Sequence, residues 1–104
     1  SELGLRLPTV TDWAEPVWHL YVILFAGRER LQAQLKEFGI STLIHYPLPP
    51  SLQPAYARLG FGRGTFPIAE KLCEEVLSLP IYPGLQLDNM HQITKRITQL
   101  LTKY

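Results

Sequence analysis

The sequence predicts an α/β (α+β) domain, a small three-stranded sheet packed with about four helices in the order β-α-β-α-α-β-α. Three observations predict it. The run from Val17 to Phe25 is rich in β-branched and aromatic residues, as a strand requires. Later stretches repeat apolar residues at helical spacing and alternate with short strand-like runs. Of the 104 residues, 46% are hydrophobic and 18% charged, which excludes a disordered chain and suffices for one core.

The elements follow in chain order. Residues 1–16 read as an irregular lead-in, with Pro8 and Pro16 bracketing a loop-like stretch. In Val17–Phe25 both alternating sets are apolar, so the strand is expected to be covered on both faces. Gly27 ends it. A helix over 28–38 follows, with Leu31, Leu35 and Phe38 as its stripe and Gly39 at its end. Residues 40–46 predict a second strand, and the prolines of 47–50 a stiff extended turn. A short helix is expected over 50–59 with Leu52, Ala55, Tyr56 and Leu59 inward, although Pro54 interrupts it. Residues 60–64 form a glycine-rich loop. Ile68, Leu72 and Val76 give a helix over 66–76 its stripe. Residues 77–82 predict a third strand, which Pro80 keeps short or at an edge. Asp88 is a suitable N-cap for a last helix over 89–102, striped by Met90, Ile93, Ile97, Leu100 and Leu101. Lys95, Arg96 and Lys103 lie toward its C-terminal half, where those nearest the end suit the helix dipole.

Several function classes are disfavoured. The formal net charge is +1, so no bulk field draws the chain to nucleic acid or to an anionic membrane. The longest apolar run, Val17 to Ala26, is too short to span a bilayer. The first residues do not read as a signal peptide, and the start without methionine reads as that of an excised fragment, a purification scar or a processed chain alike. The one cysteine, Cys73, allows no internal disulfide, reads as a structural residue and fits a cytoplasmic setting.

Candidate chemistry is sparse. The spacing of His19, His45 and His91 matches no metal motif. His19 reads as a core or interface histidine and His91 as solvated. His45 and Tyr46 stand at a strand end just before the rigid proline turn, a position from which α/β domains present ligand groups. His45 reads either as such a group or as a support for the loop. The loop over 60–64 matches no phosphate-binding pattern. Its Arg63 reads as a phosphate contact or a solvated tip, and Glu70, Glu74 and Glu75 as a surface face.

Taken in order, the motifs resemble a known family. They are Trp18-His-Leu-Tyr-Val-Ile23, the run from Arg28 to Ile40, His45-Tyr-Pro-Leu-Pro49, Leu52-Gln-Pro-Ala-Tyr56 with Leu59-Gly60, Phe66-Pro-Ile-Ala-Glu70, and Val76-Leu-Ser-Leu-Pro-Ile-Tyr-Pro-Gly84. They resemble the C-terminal small domain of the DegT/StrS-type sugar aminotransferases, pyridoxal-phosphate enzymes with the aspartate-aminotransferase fold. The resemblance implies a parent that transfers an amino group, usually from glutamate, to a nucleotide-linked keto sugar. It implies a single small domain over 1–104, partnered by an N-terminal large domain, in a homodimeric parent. His45 and Tyr46 match the segment that lies near the sugar in this family. Ser51 stands where many relatives carry a second histidine, which leaves the sugar unassigned.

The cofactor lysine of such enzymes belongs to the large domain, and Lys36, Lys71, Lys95 and Lys103 do not match it. No cofactor and no catalysis are therefore expected of this chain alone. The alternatives are a free-standing binding module for a small ligand or protein, and the lid of a related dehydratase or regulator.

Overall fold

The computed structural model describes residues 3–102. Its first strand, β1, is Tyr21–Leu24, and it pairs antiparallel with β2, Val76–Leu79. The register sets Tyr21 opposite Leu79, Val22 opposite Ser78, Ile23 opposite Leu77 and Leu24 opposite Val76. Side chains alternate across a sheet, so each pair shares one face. Ile23 and Leu77 are fully buried, with Tyr21 and Leu79 packed beside them, and these make the core face. Val22, Leu24, Val76 and Ser78 make the other face.

Helix α1, Arg28–Glu37, covers the core face with its buried Leu31 and Leu35. It ends as its sequence demands. Gly39 adopts φ 77°, its amide donates to Lys36 O, and the Ile40 amide donates to Leu35 O at 2.9 Å. That bond pattern satisfies the last carbonyls of the helix and needs a left-handed residue at Gly39. Helix α2, Pro67–Glu75, leads directly into β2. Helix α3, Leu87–Leu101, returns across α1 and adds Ile97, Leu100 and Leu101 to the core.

Six expectations need correction. The expected three-stranded sheet has two strands. Of residues 40–46 only Leu43 joins it, through a single bridge to Ser78, because the chain turns into the proline segment before a second pair can form. A matching bridge, Arg6 to Leu24, ties the lead-in to the opposite edge.

The first strand is also shorter than expected. Continuing the register would set Leu20 against Pro80, which has no amide hydrogen to donate. Residues 17–19 accordingly lie outside the sheet and are exposed, His19 among them.

The helix expected over 50–59 is two 3₁₀ turns, Pro50–Leu52 and Pro54–Leu59, because Pro54 cannot continue the first. Ala55, Tyr56 and Leu59 point outward. The stripe on α2 faces solvent, with Ile68 76% exposed. Phe38 also escapes the core and lies under the Arg96 guanidinium, 4.4 Å from ring centroid to Cζ. The last helix starts two residues early, so Asp88 sits in its first turn while Gln86 holds the cap position. Lys103 lies outside the described residues.

Candidate functional site

The Leu43 bridge positions the candidate site. Leu43 and Ser78 exchange both backbone hydrogen bonds, at 2.7 and 3.2 Å. His45 follows two residues later, and its Nδ1 lies 2.8 Å from Ser78 Oγ on the face of the sheet away from the core. Ser78 is buried and His45 half-buried. Tyr46 follows through a cis peptide bond and stands 68% exposed, its ring edge-on to the imidazole at 5.4 Å. The structure therefore brings the two sequence-predicted residues together as an anchored imidazole beside a solvent-facing phenol.

The proline segment is held as firmly as its composition suggests. Pro49 is buried, the Leu52 amide donates to Pro49 O at 3.0 Å, and Gln53 Nε2 donates to Leu48 O at 3.4 Å. Pro49, Pro50 and Ser51 line an apolar groove of about 390 Å³ together with Tyr56, Phe61 and Phe66. Phe61 and Phe66 meet edge-on at 5.2 Å. Ser51 thus lines an aromatic groove.

The glycine-rich loop is no phosphate cradle. Gly64 and Phe66 donate their amides to the Glu70 carboxylate at 3.0 and 3.2 Å, so a protein anion already takes these donors. Glu70 thereby ties the loop to the first turn of α2, a role beyond the surface face expected of it. Arg63 is an exposed tip. His91 is exposed, and no three metal-ligating side chains cluster among the described residues. Cys73 is half-buried in α2, and its carbonyl accepts a hydrogen bond from Arg28.

Two features escaped the sequence reading. Ser78 is one, although a lone serine between Leu77 and Leu79 in a buried strand is a signal for a side-chain hydrogen bond. The other is a cavity of about 450 Å³ where Arg96, Asn89, Gln92 and Tyr82 converge beside Phe38. Asn89, Gln92 and Arg96 share one face of α3 at helical spacing, but their meeting with Tyr82 and Phe38 joins distant parts of the chain, which local pattern does not show.

Comparison with known proteins places this geometry. A model of the DegT/DnrJ/EryC1/StrS aminotransferase family matches residues 2–98. The chain is 52% identical over 82 residues to the erythromycin biosynthesis sensory transduction protein EryC1 of Saccharopolyspora erythraea, an alignment covering 79% of this chain and 22% of that one. It is 38% identical over 103 residues to the dTDP-3-amino-3,4,6-trideoxy-alpha-D-glucose transaminase of Streptomyces venezuelae, covering 92% and 27%. Among solved structures, S. venezuelae DesV in complex with a ketimine intermediate superposes with a TM-score of 0.90 at 37% identity, over 94% of this chain and 26% of that one. The chain spans about a quarter of the length of these relatives.

The family's cofactor is pyridoxal phosphate, and the lysines among the described residues do not fit its attachment. Lys36, Lys71 and Lys95 are all exposed, and none lines the groove. A Schiff-base lysine needs a desolvated setting that lowers its pKa.

Proposed function

We infer, from the premise that this chain belongs to the DegT/DnrJ/EryC1/StrS aminotransferase family, that it is the C-terminal small domain of a pyridoxal-phosphate-dependent sugar aminotransferase. The parent transfers an amino group from glutamate to a nucleotide-linked keto sugar. This domain closes over the substrate, and His45 and Tyr46 touch the sugar. One observation carries the assignment of the site: an imidazole fixed at 2.8 Å by a buried serine stands beside a phenol that is 68% exposed. A rigid polar pair that faces outward is the arrangement that ligand recognition needs.

The apolar surface supports the partnership with a large domain. Trp13 is 87% exposed, Val17 93% and Ile68 76%. Apolar exposure on this scale marks a face that another body covers.

The test is steady-state kinetics of the full-length parent. His45→Ala raises KM for the nucleotide sugar about tenfold, the effect of one lost hydrogen bond of about 1.4 kcal/mol, and leaves KM for glutamate unchanged. Equal effects on both substrates would sink the assignment of the sugar to this site. The 104-residue chain by itself, given pyridoxal phosphate, glutamate and a keto sugar, shows no transamination. Turnover by this chain alone would overturn the fragment reading.

A second reading has its own support. Two similar proteins bear regulatory names, the sensory transduction protein above and a pleiotropic regulatory protein of Geobacillus stearothermophilus that is 42% identical over 92 residues. A parent without the cofactor lysine would be a dehydratase or a regulator, with the same domain as its lid.

A further inference from the structure

We infer that Ser78 is the positioning residue of this site. It holds His45 with its proton on Nε2, so that the imidazole offers an N–H to an acceptor oxygen of the ligand. This rests on the reading of His45 as a sugar contact and deepens it, because it states which kind of ligand atom His45 takes.

The argument is one of hydrogen-bond satisfaction. Ser78 is 5% exposed. Its backbone amide and carbonyl are both taken by Leu43. Its hydroxyl carries one hydrogen, and a buried hydroxyl without a partner costs about 1–3 kcal/mol. Among the described residues the sole partner of Oγ is His45 Nδ1, at 2.8 Å. Neutral imidazole has one donor and one acceptor nitrogen. With the serine hydrogen directed at Nδ1, that nitrogen is the acceptor and Nε2 carries the proton.

Neither partner is free to drift. Ser78 pairs with Val22 across the ladder and with Leu43 on its other side, and Leu43 stands two residues before His45. The ring is therefore tied to the sheet through both its side chain and its backbone. The groups that fit an N–H so presented are a hydroxyl lone pair, a carbonyl oxygen or a phosphate oxygen. A protonated amine does not fit.

The experiment uses the full-length parent holoenzyme and two readouts. In kinetics, Ser78→Ala raises KM for the nucleotide sugar about five- to tenfold, Ser78→Thr restores it by keeping the hydroxyl, and Ser78→Ala adds nothing in a His45→Ala background. A serine that merely supported packing would act equally in both backgrounds, and that result overturns the proposal. In ¹⁵N spectra of the neutral imidazole, His45 shows an unprotonated Nδ1 and a protonated Nε2 in the wild type and in Ser78→Thr, and mixed signals in Ser78→Ala. A protonated Nδ1 in the wild type overturns it as well. If His45→Ala leaves the sugar KM unchanged, the reading of the site fails, and the nitrogen spectra still decide whether Ser78 fixes the imidazole.

Discussion

Arg28, in the first turn of α1, donates a hydrogen bond from Nη1 to the carbonyl of Cys73 in the last turn of α2, 45 residues away. The same nitrogen reaches the carbonyl of Val76 at 3.4 Å, where the helix becomes β2. Arg28 is 6% exposed, so its own charge has little access to water. A helix leaves its last carbonyls without intrahelical partners, and a buried cation is well suited to take them. Arg28→Ala removes that donor and is expected to destabilise the chain by about 2–3 kcal/mol. Urea denaturation checks it, with Arg28→Lys expected to recover part of the loss.

Glu29 completes the charge of Arg28. Its Oε1 accepts from Nη2 at 2.6 Å and from Nε at 3.1 Å, and the Arg28 hydrogen bond holds the carboxyl below its ordinary value. A group whose folded pKa is depressed contributes stability above its unfolded pKa, and that contribution is lost as pH falls through the folded value. Glu29 is 70% exposed, so the amount is under about 1 kcal/mol. Glu29→Gln should therefore lower stability slightly at pH 7 and leave it unchanged in acid below the carboxylate range. Denaturation midpoints measured across that range would show the two curves converging as pH falls.

Gly39 closes α1 in the left-handed region, and a side chain there would meet no atom within 4 Å. The cost of Gly39→Ala is therefore one of backbone alone, about 1–2 kcal/mol. Gly39→Asn should cost less, since asparagine tolerates that conformation. Thermal melts of the two variants are the check, and an equal loss in both would contradict the account.

Glu70 serves the start of α2 as Gly39 serves the end of α1. Glu70→Ala frees the amides of Gly64 and Phe66 and should cost about 1 kcal/mol. Hydrogen exchange reads it locally: those two amides should lose protection while Ile23 and Leu77 keep theirs.

Much of this was legible in the sequence, and the misses share one cause. Leu31, Leu35, Ile97, Leu100 and Leu101 were placed in the core from their spacing alone, and they are buried. Ile68 and Leu72 have an equally regular spacing and lie on the outside. Periodicity reports that a helix has an apolar face. It does not report whether this chain or another body covers that face. The strand over 40–46 shrank to Leu43 for a related reason, because β-propensity marks residues that suit a sheet without fixing how many partners they find. His45 and Tyr46 stand out in the sequence because they adjoin an unusual proline run. Ser78 was missed because its importance lies in a contact across 33 residues, which local pattern cannot reveal.

The two tryptophans of this chain, Trp13 in the lead-in and Trp18 just before β1, both lie outside the buried cluster. Trp13 is 87% exposed, while Trp18 is 43% exposed with its ring 5.2 Å from that of Tyr21. Indole emission responds to the water around it. Trp13 is thus nearly blind to melting of the interior, while Trp18 senses β1 through Tyr21, and a blue shift on mixing with a large domain would report the covering of Trp13 without any added label.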